Sequence, residues 1–264
     1  MNDNITISLM QLFEMFPDQD SAREYLERRR WPEGVFCPIC ASVDRITTRK
    51  NGYYRCNECK GDFTVRTGTI FERSHVPLHK WVYAMYLLVT SRKGISSLQL
   101  SKEISVTQKT AWFMLSRLRE ALGKDMDQLA GIVEIDETYI GGKETNKHRR
   151  NKTNLGRGAV GKQAVVGMRE RGGRTLARPV AKADTLTVNN LVFQYIQVGS
   201  AIHTDESAIY RGLDGMFYSH DSINHGTKEY VRDNVTTNSI ESVFAVMKRG
   251  LNGVYHHASP KHLG

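Results

Sequence analysis

Four cysteines in two pairs constrain this chain of 264 residues more than any other feature. The pairs are Cys37-Pro-Ile-Cys40 and Cys56-Asn-Glu-Cys59, and fifteen residues separate them. This spacing is typical of zinc sites with four thiolate ligands, because each two-residue gap lets one tight turn aim two sulfurs at the same ion. Four such ligands leave no open coordination position, so we expect a structural zinc ion.

The region around these cysteines predicts a small β module. From Trp31 to about Ile70 the chain is rich in Cys, Gly, Thr, Tyr and Arg, in short alternating stretches suited to β-hairpins. A module of about forty residues cannot build a sufficient core by itself, and zinc replaces that core. Its surface suits contact with DNA or with a partner protein, and the sequence leaves both open. The surface candidates are Tyr53, Tyr54, Arg55, Lys60 and Arg66.

Composition excludes several classes of protein. Hydrophobic residues make up 40% and charged residues 25%, as in soluble globular proteins. The longest apolar run, from Trp81 to Val89, has nine residues, whereas a membrane-spanning helix needs about 20. The start MNDNITISLM lacks the pattern of a secretory signal, so we expect a cytoplasmic protein without membrane contact. In that reducing compartment cysteines bind metals more often than they form disulfides.

The formal net charge of +9 favours a polyanionic partner, although a merely soluble basic surface is the plain alternative. Residues 1–30 carry four Arg against six acidic residues, a balance of −2, so the rest of the chain carries +11. The loop from Lys143 to Lys162 holds seven basic residues and one acidic residue. We expect a mobile arm that holds phosphates. Its candidate DNA-binding residues are Lys147, Arg149, Arg150 and Lys152.

Helical patterns precede and follow the cysteine module. Residues 5–30 predict two short helices broken at Pro17, and residues 79–122 predict three more. In the second group, Ser96 or Ser97 caps a short helix and Thr107 caps a longer one that runs to about Leu122. This is a helix-turn-helix arrangement, although helical hairpins without a DNA role are common. The residues expected to reach base edges or phosphates are Gln108, Lys109, Arg117 and Arg119.

Three acidic residues stand on separate predicted elements. Asp136 shares one face of a strand over 132–140 with Glu134, Asp205 ends a short apolar stretch, and Glu241 lies in the first turn of a helix that starts near Asn238. Taken singly, each acid has a simpler explanation. Asp136 can lie on a solvated strand face, Asp205 can cap a helix, and Glu241 can belong to a capping box. Because ligands of α/β sheets gather beyond the carboxyl ends of strands, the three acids can also converge.

Converging carboxylates predict a metal site of a particular kind. Hard oxygen ligands select Mg²⁺ or Mn²⁺, and two such ions about 4 Å apart stabilise both oxygens of a phosphodiester displacement. Lys248 lies about two helical turns beyond Glu241 on nearly the same face, where it can bind a phosphate. Three histidines lie nearby in sequence and are interpreted as structural. They are His203, His220 and His225.

At these residues the chain resembles a bacterial insertion-sequence transposase of the Asp-Asp-Glu class, in the ISXO-like group with an N-terminal zinc ribbon. The resemblance covers almost the whole chain, from Phe13 to the end, and includes several motifs in one order. The matching stretches are Trp31-Pro-Glu-Gly with Cys37-Pro-Ile-Cys40, Phe63 to Phe71, Ile95 to Leu122, Glu134 to Lys143, His203-Thr-Asp205-Glu and Thr237-Asn-Ser-Ile-Glu241 to Lys248.

The resemblance implies a multidomain fold of α+β and α/β type. It consists of a helical lead-in over 1–30, a zinc ribbon over 31–74, a helix-turn-helix region over 75–126 and a ribonuclease-H-like catalytic domain over 130–264, with a mixed sheet flanked by helices. Members usually continue into a further helix, so we expect this last domain to lack it. The resemblance also implies Asp136, Asp205 and Glu241 as ligands of two Mg²⁺ or Mn²⁺ ions, with Lys248 as the accompanying lysine.

The implied activity is metal-dependent cleavage of double-stranded DNA at the element's terminal inverted repeats, followed by attack of the freed 3′-hydroxyl on target DNA. Such an enzyme works in the cytoplasm on the bacterial nucleoid, and synapsis of two ends requires a homodimer or a higher oligomer. Three alternatives stay open. They are a DNA-binding protein without activity or an inactive truncated transposase, a ribonuclease-H-like nuclease without strand joining, and a zinc ribbon that docks protein.

Overall fold

The computed structural model describes residues 7–123, 127–142, 148–152, 161–213, 219–227, 229–256 and 258. The chain divides into two compact units, residues 1–124 and 125–264. The first contains the cysteine cluster with its small sheet, and the second a five-stranded mixed sheet flanked by helices. These features confirm the predicted fold class of mixed helices and sheets. The finer subdivision of the first unit into lead-in, ribbon and helix-turn-helix stays a prediction.

The helices of the first unit begin where the sequence offers capping side chains. Asp18 accepts a hydrogen bond from the N–H of Ser21 at 2.8 Å, and Ser96 and Thr107 cap their helices in the same way. The prediction for the helix-turn-helix region therefore resolves to Ser96 rather than Ser97. The helices are α1 (Leu9–Met15), α2 (Gln19–Arg30), α3 (Leu78–Thr90), α4 (Ser97–Glu103) and α5 (Gln108–Leu122).

The cysteine module contains a small antiparallel sheet of three short strands. They are β1 (Ile46–Thr48), β2 (Tyr54–Cys56) and β3 (Asp62–Phe63), in the order β1-β2-β3. The module shares one hydrophobic core with the helices around it, because Trp31 and Phe63 belong to the same buried cluster as Leu12, Trp81 and Leu115. A shared core explains how a module with so little sheet remains folded.

The second unit is built on a sheet in the order β6-β5-β4-β7-β8. Strand β5 is antiparallel to both of its neighbours, β6 and β4, whereas β4, β7 and β8 run parallel to one another. The strands are β4 (Ile132–Ile140), β5 (Gln163–Glu170), β6 (Thr175–Val180), β7 (Ala201–Asp205) and β8 (Ser219–Ile223). The helices are α6 (Thr185–Tyr195) and α7 (Asn238–Gly250), and α7 continues into a wider turn over Leu251–Tyr255.

Alternation along β4 separates the two faces of this sheet. Val133 and Ile135 point into an apolar core that includes Val188 and Val192 of α6. Glu134 and Asp136, which alternate with them along β4, point to the opposite face. The helix α7 covers that face with the buried side chains of Ile240 and Phe244.

Close packing of α7 depends on a glycine in β5. Gly167 pairs with Asp136, and a Cβ atom there would lie 2.6 Å from Cζ of Phe244. Any larger side chain would therefore push α7 away from the sheet. Within the described ranges, no helix is both long enough and apolar enough to cross a membrane.

Candidate functional site

The four predicted zinc ligands lie together in the first unit. Among the described residues, Cys37, Cys40, Cys56 and Cys59 form the one group of three or more potential metal ligands whose donor atoms all lie within 4.8 Å of one another. The Sγ atoms of Cys37 and Cys59 are 3.7 Å apart, as are those of Cys40 and Cys56. A tetrahedron with Zn–S bonds of about 2.3 Å has edges of roughly 3.8 Å, so the thiols fit zinc.

Tight turns hold these thiols in place. The N–H of Ala41 donates to the carbonyl of Cys37 at 2.8 Å, and the N–H of Cys56 donates to the carbonyl of Gly61 at 2.9 Å. The residue after each cysteine pair is in the left-handed region, with a φ of 60° at Ala41 and 58° at Lys60. All four cysteines are free thiols. The cluster is therefore the ligand set of a structural zinc site, as the sequence predicted.

The strands of the second unit bring Asp136 and Asp205 to one face of the sheet. Glu134 of β4 pairs with His203 of the parallel strand β7, and two residues further along the two strands are Asp136 and Asp205. Asp205 is the last residue of β7, as expected for a ligand beyond the carboxyl end of a strand, whereas Asp136 lies level with it in the middle of the longer strand β4. The oxygen Oδ1 of Asp205 accepts a hydrogen bond from the N–H of Ser207 at 3.0 Å, which fixes its rotamer.

Asp136 is the most perturbed acid of this face. Burial raises its pKa to about 7, and the negative charges of Glu137, Asp205 and Glu241 add to the shift. A hydrogen bond of 2.8 Å from the N–H of Glu137 acts in the opposite direction. The three predicted ligands therefore share one electrostatic environment, in which a nearby positive charge is strongly favoured.

Glu241 lies in the first turn of α7 and is partly exposed. Its Oε1 lies 3.4 Å from Nε2 of His225 and accepts a hydrogen bond of 3.3 Å from the hydroxyl of Thr237. The capping-box alternative for this segment is wrong, because Thr237 precedes the helix and makes no side-chain cap. Asn238 is instead the first helical residue.

A neighbouring acid holds the histidine that contacts Glu241. The carboxylate of Glu206, next to Asp205, accepts hydrogen bonds from the N–H groups of His225 and Gly226 at 2.9 and 3.1 Å. Its own backbone N–H and these two donors keep the pKa of Glu206 below its usual value. Glu206 thus fixes the turn from which the ring of His225 reaches Glu241.

Glu137 belongs to the other face of the sheet. It pairs with Val166, whose side chain lies in the core under α6, and its carboxylate accepts a hydrogen bond from the hydroxyl of Tyr210. Burial raises the pKa of Glu137, and burial with the charge of Glu137 raises that of Tyr210. This pair supports the strand beside Asp136, and the charge of Asp205 also contributes to the raised pKa of Glu137.

Glu134 points to the same face as Asp136 but is completely buried. Its carboxylate contacts the first turn of α7 and the guanidinium of Arg171. Arg171 also donates to Nδ1 of His203, whose pKa is lowered first by burial and then by the charge of Arg171. The sequence predicts structural roles for His203, His220 and His225. His203 contacts Arg171, which binds Glu134, and His225 contacts Glu241 and Thr237.

The predicted catalytic groups are less closely gathered than the cysteine thiols. In the described parts of the chain the four cysteines alone form a group close enough to hold one metal ion, and Asp136, Asp205 and Glu241 do not form such a group. Lys248 lies in the last turn of α7 with an exposed side chain.

The predicted DNA-binding helix α5 presents a mixed surface. Gln108 and Lys109 are exposed in its first turn, and Nε2 of Gln108 donates to the hydroxyl of Ser97 in α4 at 2.8 Å. One turn further along, the side chain of Trp112 is 54% exposed, which is unusual for tryptophan. Arg119 is also exposed.

Arg117 differs from the other candidates on α5. Its guanidinium donates to the carbonyls of Ile70 and Glu72, each at 2.7 Å, and lies 4.5 Å from the ring centre of Phe113. These contacts give Arg117 a role in packing within the first unit.

The predicted basic arm is described only in part. Arg149 and Arg150 are exposed in a single 3₁₀ turn, and Lys152 after it is half-buried. Lys147 lies outside the described residues, as do residues 143–146 and 153–160.

Comparison with known proteins now identifies the family. Residues 128–264 match the model of the ISXO2-like transposase domain, and residues 17–61 match that of the transposase zinc-ribbon domain. The chain belongs to the ISXO2-like transposase family. It is 32% identical over 258 residues to an uncharacterized protein in transposable element ISH50 of Halobacterium salinarum, covering 92% of this transposase and 86% of that protein.

Solved structures give more distant likenesses. One is the Mos1 strand transfer complex, with 12% identity and a TM-score of 0.27, where the match covers 69% of this transposase and 72% of that chain. Another is the Mos1 paired-end complex with the left transposon end, with 13% identity and a TM-score of 0.22. That match covers 67% of this chain and 75% of the other.

Proposed function

We propose that this transposase cleaves DNA at the ends of its element and joins the freed 3′-ends to target DNA. Asp136, Asp205 and Glu241 carry the reaction as metal ligands. The observation that supports this most is the raised pKa of Asp136, about 7, which results from burial, then from the charge of Glu137, and then from the charges of Asp205 and Glu241. Three carboxylates that repel one another on one face of a sheet lower their energy by sharing cations.

The donor set fits Mg²⁺ or Mn²⁺. All three donors are carboxylates, the ligand type that hard divalent ions prefer. A single ion held by all three carboxylates would require their oxygens to lie close together. Two ions about 4 Å apart fit carboxylates that are spread over a wider pocket. Bound there, the ions would stabilise the attacking and leaving oxygens of a phosphodiester displacement.

The protein's own part in the reaction is to orient these groups. Asp136 and Asp205 stand on paired strands, and Glu241 stands on a helix packed over Gly167 of the same sheet, so each carboxylate has a rigid support. Lys248, two turns beyond Glu241, offers a cation to a DNA phosphate. The first step hydrolyses the strand at the element end, and the 3′-hydroxyl then attacks the target phosphodiester without a covalent protein intermediate.

DNA recognition is assigned to α4 and α5 and to the basic arm. In residues 91–123, six basic residues stand against two acidic residues, which favours a phosphate backbone. Gln108, Lys109 and Arg119 on α5 are the proposed contacts, with Arg149, Arg150 and Lys152 on the arm. Arg117 is left out, because its guanidinium is bonded to backbone carbonyls.

The sequence-based domain boundaries complete the proposal. Residues 31–74 form the zinc ribbon, 75–126 the helix-turn-helix region and 130–264 a ribonuclease-H-like catalytic domain. Pairing of two element ends requires at least a dimer in the DNA complex, and the protein acts on DNA of the nucleoid.

The test is incubation of the full chain with labelled DNA bearing the element's inverted repeats and Mg²⁺. We expect a nick at the 3′-end and a joined product, and expect Asp136→Asn and Asp205→Asn to abolish both while DNA binding persists. Asp221→Asn, which changes an exposed acid on the neighbouring strand β8, is the matched control and should retain activity. Nicking that survives the two substitutions contradicts the assignment, and cleavage without joining favours a nuclease.

A further inference from the structure

We propose that Glu134 is a positioning residue that sets the place of Glu241 relative to Asp136, with Arg171 as its partner. This inference rests on the proposed function, since it concerns the same carboxylate site. Glu134 lies two residues before Asp136 on β4 and on the same face of the sheet. An acid in that place looks like a fourth metal ligand, but its contacts give it another role.

The carboxylate of Glu134 is bound to the start of the helix that carries Glu241. Its Oε2 accepts hydrogen bonds from the N–H groups of Ser239 at 2.9 Å and Ile240 at 3.1 Å. These donors belong to the first turn of α7, where backbone N–H groups have no partner within the helix. Thr237, the residue before α7, makes no side-chain cap, so a strand residue supplies the acceptor that the local sequence lacks.

The second oxygen of Glu134 is bound to Arg171. Both Nη2 and Nε of the guanidinium donate to Oε1, at 3.1 and 3.3 Å. The same guanidinium donates to the backbone carbonyl and the side-chain oxygen of Asn234, at 2.8 and 2.7 Å, and so reaches the segment that leads into α7. A fully buried carboxylate is tolerated because it is paired and because both of its oxygens accept hydrogen bonds.

These contacts place a rigid link between two of the proposed ligands. One end of the link is the strand that carries Asp136, and the other is the helix turn that carries Glu241, one residue after Ile240. Because both oxygens of Glu134 are occupied and the side chain has no exposed surface, Glu134 does not face the reacting atoms. Its effect on the reaction passes through the position of Glu241.

The experiment compares two variants. One carries Glu134→Ala, and the other, the paired variant, carries Glu134→Gln and Arg171→Gln together. In the pair, the glutamine oxygen at 134 can accept from α7 while its amide N–H donates to the glutamine oxygen at 171, so the link is rebuilt without charge. The matched control is Arg174→Gln on the same hairpin, because the guanidinium of Arg174 bonds to Glu170 and to the carbonyls of Asp127 and Gln128 rather than to Glu134.

Two measurements are made on each full-length variant at a temperature where circular dichroism shows a folded chain. The first is hydrogen exchange of the peptide over residues 237–247 without DNA or added metal. The second is the rate of strand cleavage at saturating DNA with Mg²⁺, beside the Kd for the same DNA.

For Glu134→Ala we expect exchange in the first turn of α7 to rise about tenfold or more. We expect cleavage to slow about a hundredfold, the scale of an ångström displacement of a reacting group, with an unchanged Kd for DNA. The paired variant should recover most of both losses, and Arg174→Gln should match the wild type. If Glu134→Ala does not fold, Arg171→Lys takes its place, because lysine cannot reproduce the two-pronged contact of the guanidinium.

The inference is overturned if exchange over 237–247 is unchanged in the folded variant, or if cleavage stays at the wild-type rate while exchange rises. It is also overturned if the paired variant recovers exchange but not cleavage, since Glu134 would then act directly. A wild-type protein that does not cleave contradicts the proposed function, and the exchange measurement alone then decides whether Glu134 holds α7.

Discussion

Replacing Asp136 by Asn should stabilise the protein when no divalent cation other than zinc is present. Asparagine keeps the shape of the side chain and can still accept the hydrogen bond of 2.8 Å from the N–H of Glu137. It removes a charge that the folded state disfavours, because burial and three neighbouring acids raise the pKa of Asp136 from 3.8 to about 7.

The size and sign of the effect follow from this shift. A rise of about three pH units corresponds to about 4 kcal/mol at 1.36 kcal/mol per unit, and solvent screening of the half-buried side chain reduces this to about 2 kcal/mol. Between pH 3.8 and about 7 the folded chain binds more protons than the unfolded chain, so wild-type stability falls as the pH rises. The gain from Asp136→Asn is therefore absent below pH 3.8 and complete above about pH 7.

The assay can separate the two units, because all three tryptophans lie in residues 1–124. Unfolding of the second unit is visible in far-ultraviolet circular dichroism and silent in tryptophan fluorescence. We expect Asp136→Asn to raise the free energy of that transition more at pH 8 than at pH 5, and Asp221→Asn to leave it unchanged. If the substitution gives no gain at pH 8, or equal gains at both pH values, the charge of Asp136 does not destabilise the folded state.

Three further outcomes are expected. Cys56→Ser should release zinc, measured by metal analysis, and should unfold the first unit, measured by tryptophan fluorescence; full zinc occupancy in this variant contradicts the four-thiol site. Acrylamide quenching of Trp112, which is 54% exposed while the other two tryptophans are buried, should weaken when element-end DNA binds. Unchanged quenching at saturating DNA contradicts the α5 interface. Gly167→Ala should destabilise the second unit by about 1–3 kcal/mol and slow cleavage, because its Cβ would clash with Phe244 at 2.6 Å. Gly142→Ala, whose Cβ would meet no atom within 4 Å, is the control, and equal effects of the two substitutions argue against the clash.

Features that depend on a few neighbouring residues were predictable from the sequence. The two cysteine pairs indicated zinc because their spacing fixes the turn geometry, and the four thiols lie together as predicted. Thr107 marked the start of α5, because a capping side chain bonds to a backbone N–H within three residues of it. The alternation from Val133 to Asp136 correctly assigned β4 and the face that each residue occupies.

Features that depend on distant partners were not predictable in the same way. A period of two places Glu134 beside Asp136 but does not reveal that its oxygens bind Ser239 and Ile240, more than a hundred residues further along the chain. For basic residues, the sequence does not show whether the side chain binds DNA or the protein's own backbone. A positive charge at Arg117 predicts a phosphate contact, but the carbonyls of residues 70 and 72 compete for the same guanidinium, and only the tertiary structure brings them together.

In the proposed mechanism, three carboxylates from two strands and a helix share one pocket for divalent cations. Binding of Mn²⁺ to the full-length protein, followed by electron paramagnetic resonance, tests this without DNA or turnover. We predict that Asp136→Asn, Asp205→Asn and Glu241→Gln each weaken Mn²⁺ binding, whereas Asp221→Asn does not. A Glu241→Gln variant that binds Mn²⁺ as tightly as the wild type would contradict the claim.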